Sequence, residues 1–213
     1  MDAVVIGALG GKIVAITNKG LRQATAGSYS YTATVTGWHR IRLQGGGGGG
    51  TSAGTRRGGC AGMYVECIMY LTAGTSYAFV VGAGGAINTT GGNTTFTGPH
   101  FTAIAYGGSN DTGINGRFDG VTTDGANANQ RDASTIDGAR GGVIGTNGGY
   151  CGMFRGGSDG VGTSGGGGAS RYAAGGNGGS TGVAGSLGSG GGSGTTGGVG
   201  GAGLIEIEYL GSN

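Results

Sequence analysis

Residues 176–203 read "GNGGSTGVAGSLGSGGGSGTTGGVGGAG", with glycine at every third position from Gly176 to Gly203. A repeat of three marks one face of a helix with three residues per turn, the polyproline-II geometry, which rises about 3.1 Å per residue. Such a helix makes no internal hydrogen bonds, so each backbone N–H and C=O must reach water or a neighbouring helix. Collagen sets this backbone with proline, but the only proline in this chain is Pro99. A single chain that folds back on itself can instead lay glycine helices side by side, bond in six directions and form a polyglycine-II bundle. Interior helices are then expected to be nearly all glycine, as in "GGGG" (165–168). Rim helices are expected to read G-X-Y with small or polar X and Y, as in "GNGGSTGVAGSLG". Drawn straight, 176–203 would run about 87 Å, so the segment is expected to reverse at least once.

The rest of the composition separates this chain from a linker or a disordered tail. Glycine supplies 61 of 213 residues, against an ordinary share of about 7%. Yet 36% of residues are hydrophobic, with nine Tyr, five Phe and one Trp, and only 10% are charged. That is enough apolar material for one core and a length that suits one domain. The net charge is +2, and Arg56–Arg57 is the only adjacent basic pair, which argues against a nucleic-acid partner. No apolar run approaches 18 residues, so no membrane insertion is expected. The start, "MDAVVIGALGGKIVAITNKG", has an acid where a secretory signal has base. Synthesis in a cytoplasm without a signal peptide is the expectation. Cys60, Cys67 and Cys151 form neither a disulfide framework nor a CxxC pair and read as buried small hydrophobes. His39 and His100 lack ligand spacing, so no metal site is expected.

Segments outside the glycine runs read as strands. "YSYTATV" (29–35) and "WHRIRLQ" (38–44) alternate around Gly37, the second with Trp38, Arg40 and Arg42 opposite His39, Ile41 and Leu43. "MYVECIMYL" (63–71) and "TSYAFVVGAG" (75–84) read as a hairpin across "TAG". "TTFTG" (94–98), "FTAIAYGG" (101–108) and "LIEIEYL" (204–210) follow. Short strands at this spacing predict an all-β fold, a small jelly-roll-like β-sandwich. The glycine inserts, about 45–62 and 107–203, leave the sheets and return to them. Residues 28–210 are expected to form this single domain, with strands about 29–44, 63–84, 94–108 and 204–210. Residues 1–27 are an attachment or assembly segment, with one turn of helix at most over 17–27.

Catalytic chemistry finds little support. "GGK" (10–12) is followed by Ile13 where a phosphate loop needs Ser or Thr. Asp119, Asp124, Asp132 and Asp137 match neither calcium-loop spacing and read as polar turns. An enzyme is not expected, nor a cofactor. Binding is better supported, because a glycine bundle concentrates side chains at its reversals. "NGGYCGMFRGG" and "ASRYAAG" gather Tyr150, Phe154, Arg155, Arg171 and Tyr172, the residue types enriched at energetically important contacts. Asn129, Gln130 and Arg131 form a second candidate group. The competing reading of Tyr150, Phe154 and Tyr172 is that they anchor the bundle to the sandwich.

The ordered combination "YTATVTGWHRIRLQGGGGGG", "GMYVECIMYLTAGTSYAFVVGAGG", "NTTFTG…FTAIAYGG" and "GGVGGAGLIEIEYL" resembles the glycine-rich domains of bacteriophage tail-fibre and receptor-binding proteins. The resemblance covers roughly residues 28–210. It resembles in particular the distal adhesins of T-even-type phages, whose polyglycine-II bundles carry loops to the host surface. Those adhesins have a separate N-terminal docking domain that these residues do not match. The glycine-rich region of some receptor tyrosine kinases is a more distant likeness. The resemblance implies a tail-fibre or tail-tip adhesin in the virion. Its implied partners are a bacterial outer-surface protein or glycan, other virion subunits, and two further copies in a homotrimer. The alternatives are a structural virion protein, as a head decoration or fibre cap, and a cell-surface glycine-rich module.

Overall fold

The computed structural model describes residues 5–9, 12–16, 20–52, 56–110, 121–123, 130–136, 139, 148–149, 151, 155–158 and 164–212. For 5–9, 12–16, 121–123 and 130–136 it is the backbone that is described. The fold is all-β. One antiparallel sheet has the order β10 (Val121–Thr123), β9 (Phe101–Ala105), β8 (Thr94–Gly98), β7 (Ser76–Val81) and β4 (Gly27–Thr32). The other has the order β11 (Gln130–Ile136), β6 (Tyr64–Leu71), β5 (Gly37–Gln44), β12 (Leu204–Gly211) and β3 (Leu21–Gln23). Among the described residues, strands β1 (Val5–Leu9) and β2 (Lys12–Ile16) pair antiparallel with each other in a separate two-stranded sheet.

The two-residue period of a strand decides which side chains meet between the sheets. In β5 the inward set is His39, Ile41 and Leu43, and in β6 it is Val65, Cys67, Met69 and Leu71. They pack with Tyr77, Phe79 and Val81 of β7, Phe96 of β8 and Phe101 and Ala103 of β9 in one continuous core. Tyr77, Phe96 and Phe101 stack with ring centroids 5.7–6.3 Å apart. His39 is fully buried, and burial lowers its pKa, so it is held neutral with Nδ1 hydrogen-bonded to the Gly37 carbonyl.

The structure corrects several expectations about connection. Residues 63–71 and 75–84 are not a hairpin. β6 pairs with β5 and β11, β7 pairs with β4 and β8, and the turn at Thr72–Thr75 carries the chain between sheets. β4 and β5 are likewise in opposite sheets. Alternating burial in two consecutive segments fits a hairpin and a sheet-to-sheet crossing equally well, so the pattern alone could not decide. Part of 17–27 is strand, not helix, and β3 joins the edge of a sheet through β12, so the sandwich starts before residue 28. The insert 107–203 is not all glycine helix, because β10 and β11 return from it to the two sheets.

The glycine runs form the expected bundle. Gly45–Gly50 leave β5 and donate with a period of three. Gly45 and Gly48 donate to the carbonyls of Met63 and Cys60, Gly46 and Gly49 to Gly92 and Thr89, and Gly47 and Gly50 to Gly201 and Gly198, all at 2.8–2.9 Å. Their own carbonyls accept from three further passes, through Gly108, Gly85 and Gly191. This helix therefore has six hydrogen-bonded neighbours. A second interior helix, Ser189–Gly194, is bonded in the same way to passes containing Gly48, Gly59, Gly168, Gly176, Val183 and Gly201. The run 176–203 reverses three times, near 179–181, 186–188 and 194–196. Repeating units of three on both sides of each reversal keep glycine in phase.

Glycine is needed here for its missing Cβ, not for its conformational freedom. No glycine of 45–50 or 189–194 has positive φ. A Cβ at Gly190, Gly191 or Gly192 would fall closer than 3.0 Å to the carbonyl oxygens of Gly59, Gly198 and Asn177 respectively, in three different helices. The middle of this interior helix thus excludes side chains on all its faces, while the small hydroxyls of Ser189 and Ser193 are admitted at its ends, and rim helices show the simple G-X-Y repeat. Val183 and Val199, 53% and 45% exposed, occupy such rim positions.

Candidate functional site

The bundle has two ends, which carry different side chains. At the end near the sandwich the chain turns at Ser170–Ala173 and at Leu187–Gly188. The Ser170 hydroxyl donates to the Leu187 carbonyl at 2.7 Å and joins these two turns. Gly188 has φ +80°, and a Cβ there would meet the buried Gln44 side chain at the end of β5. Gln44 itself donates to the Gly62 carbonyl at 2.7 Å, tying strand to bundle.

Arg171 and Tyr172 belong to this sandwich-facing end. The Tyr172 hydroxyl donates to Glu206 Oε2 at 3.1 Å, and its ring centroid lies 6.1 Å from that of Tyr64. The Arg171 guanidinium sits 5.4 Å from the Tyr64 ring centroid. Burial, then the Glu206 carboxylate, raise the pKa of the Tyr172 hydroxyl, which stays protonated as a donor. The reading of Tyr172 as an anchor therefore fits its surroundings. Arg155 is exposed, and its carbonyl accepts from Gly175 at 3.1 Å. Tyr150, Phe154 and Asn129 lie outside the described residues. Gln130 and Arg131 lie in β11, paired with β6, and not in a turn between glycine helices as expected. A polar sequence with turn formers reads as loop, but here it completes the edge of a sheet.

Behind Tyr172, the outer face of the sheet carries a row of alternating charge. Arg22, Glu206, Arg42 and Glu66 sit opposite one another across β3, β12, β5 and β6. Arg22 Nε is 3.1 Å from Glu206 Oε1, and Arg42 Nε is 3.0 Å from Glu66 Oε2. Arg40 pairs with Glu208 at 3.2 Å one row away. Burial opposes ionisation of Glu66, but hydrogen bonds from Tyr64 and Arg42 outweigh it and hold the carboxyl below its usual range. Tyr64 is pushed up to about 12 by burial and by its bond to Glu66. Three arginines and three glutamates are thus matched within the sheet.

The opposite end, farthest from the sandwich, gathers reversals from several passes. Ser52 N–H donates to Asn88 Oδ1 and Asn88 Nδ2 donates to Ser52 Oγ, both at 3.0 Å. Asn110 Nδ2 donates to the Asn88 carbonyl at 2.6 Å. Thr51 N–H donates to the Arg57 carbonyl at 2.8 Å, and Arg57 N–H returns to Thr51 Oγ1 at 2.6 Å. The buried Ser193 hydroxyl donates to the Arg56 carbonyl. Bridges join Ser52 to Gly194 and Thr181 to Thr196. Arg56 and Asn88 both have left-handed backbones, φ 34° and 63°. Thr89, Ser180, Thr181, Thr195 and Thr196 are exposed around them. Apart from Arg56 and Arg57, the polar residues named here are all Ser, Thr and Asn.

Sequence reading passed over this face because Ser, Thr and Asn between glycines look like filler. The one available signal was Arg56–Arg57, the sole basic pair, placed at the first reversal after "GGGGGG". Among the described residues no group of His, Cys, Asp and Glu is placed to hold a metal ion, and no helix is long and apolar enough to cross a membrane. Neither the models of known protein families nor the curated proteins contain a match to this chain.

Proposed function

We propose that this chain is a bacteriophage tail-fibre or tail-tip adhesin that recognises the host cell surface with the face of the glycine bundle farthest from the sandwich. The observation that carries the reading is the cross-bonding of that face: Thr51, Ser52, Asn88 and Asn110 hold separate reversals together at the end of a hydrogen-bonded bundle. A densely bonded glycine bundle is a stiff spacer. It fixes loops at a distance from the sheets, and those loops can change side chains without disturbing the repeat. Arg171 and Tyr172 serve the other end, where they hold bundle to sheet. Purified, fluorescently labelled protein should label cells of a susceptible bacterial strain and compete with phage attachment. Replacing the exposed Thr195 and Thr196 by larger charged residues should abolish labelling while circular dichroism is unchanged. Wild-type protein that labels no host strain, yet is found in virions by mass spectrometry, would replace this reading with a structural virion role.

A further inference from the structure

We propose that the Arg56–Arg57 reversal is the binding site for a phosphate- or carboxylate-bearing saccharide, an assignment that rests on the surface-recognition reading above. Arg56 occupies the left-handed region, with φ 34°, where a residue with a Cβ is strained. In a chain with 61 glycines, glycine would satisfy this backbone at less cost. The backbone therefore gives no reason for arginine, which leaves the side chain as the reason. Arg22, Arg40 and Arg42 are paired with carboxylates on the sheet, whereas the Arg56 guanidinium makes no ion pair among the described residues.

The backbone at Arg56 and Arg57 is held from both sides before any ligand arrives. The Ser193 hydroxyl, itself buried, takes the Arg56 carbonyl, and Thr51 clamps the N–H and C=O of Arg57. Asn88 and Ser52 lock the adjoining reversal. These bonds fix the backbone from which the Arg56 side chain leaves, and the planar fork of its guanidinium matches the paired oxygens of phosphate and carboxylate. The surrounding exposed groups, Thr89, Thr181, Thr195 and Thr196, are hydroxyls that suit other hydroxyls. Among the described residues of this face there is no exposed aromatic side chain of the kind that anchors a protein partner. Anionic oxygens amid hydroxyls describe an acidic saccharide.

The test titrates the full chain with rough-type lipopolysaccharide bearing core phosphates, the same material dephosphorylated, polygalacturonate, and neutral dextran, at 50 and 300 mM NaCl. Saturable binding to lipopolysaccharide or polygalacturonate is expected, weaker at the higher salt. Loss on dephosphorylation assigns the phosphate, and preference for polygalacturonate assigns the carboxylate. Arg56→Gly should weaken binding at least tenfold while Tm stays level or rises, because strain is relieved as the ligand contact is lost. Arg56→Lys should retain part of the affinity. The proposal is overturned if neither anionic polymer binds, if dextran binds equally well, or if Arg56→Gly binds like wild type. Should the protein label cells without competition from either polymer, and protease treatment of the cells abolish labelling, the ligand is a protein. Surface recognition then stands and this assignment fails. Polymer binding without any cell labelling would leave the saccharide site standing and sink the adhesin reading.

Discussion

Gly191 and Gly179 show how one residue type does two jobs in the same repeat. Both lie on the three-residue period of 176–203. A Cβ at Gly191 would collide with the Gly198 carbonyl in the adjacent helix, whereas at Gly179 the nearest atom is the Thr181 carbonyl oxygen at 3.5 Å, an ordinary contact. Gly191→Ala is therefore expected to cost about 3 kcal/mol, since backbone on two helices must move. Gly179→Ala is expected to change stability by less than about 0.5 kcal/mol. Urea unfolding of the two variants measures the difference, and equal losses would show that the helices are not packed on their glycines. By the same reasoning valine at Gly191 or Gly197 should damage the fold more than valine at the exposed Ser186 or Thr195.

At the scale of the strand, the Arg–Glu row joins β3, β12, β5 and β6 by side chains as well as by backbone. Its register is legible in the sequence only as "RIR", "YVE" and "IEIE", each alternating charge or polarity with apolar residues. Which arginine faces which glutamate is set by strand pairing. Glu66 ionises more readily in the folded state than in the unfolded chain. As pH falls, the unfolded chain binds the proton first, so the stability that Glu66 contributes is full above its ordinary carboxylate pKa and is lost as pH drops through the lower folded value. Glu66→Gln should lower stability at pH 7 by about 0.5–1 kcal/mol, a modest sum because the pair is partly solvated. The same variant should show a shallower loss of stability below pH 4.5. Chemical denaturation across that range compares the slopes, and parallel wild-type and variant curves would remove Glu66 from the acid response.

For the whole molecule, the sandwich and bundle are not separable bodies. The helix of Gly45–Gly50 continues β5, passes containing Gly82 and Gly107 continue β7 and β9, and the pass ending at Gly203 runs into β12. Gln44, Thr94 and Tyr172 bond across the boundary: Gln44 Nε2 donates to the Gly62 carbonyl at 2.7 Å, Gly82 N–H donates to Thr94 Oγ1 at 3.0 Å, and the Tyr172 hydroxyl donates to Glu206 at 3.1 Å. Glycine loses more backbone freedom on ordering than any other residue, so the bundle needs these fixed ends. Thermal unfolding should accordingly be one transition, with the fluorescence of Trp38, the only tryptophan, and the polyproline-like circular dichroism signal changing together. Separate midpoints would mean that the bundle melts on its own.

The sequence by itself determined the kind of local structure almost everywhere that side chains alternate or glycine recurs. A two-residue period commits a segment to a half-buried strand, as in "WHRIRLQ", and a three-residue period of glycine commits it to polyglycine II. Both follow from the geometry of a single segment. Partnership was decided only by the tertiary structure. β6 and β7 look like a hairpin and lie in different sheets, and Gln130–Arg131 look like loop and lie in β11. The candidate face was hidden for the same reason. Ser52, Asn88 and Thr196 are each unremarkable in sequence, and they become one surface because hydrogen bonds between distant glycines bring the ends of their helices together. A backbone-to-backbone bond leaves no mark in the identity of the residues that make it.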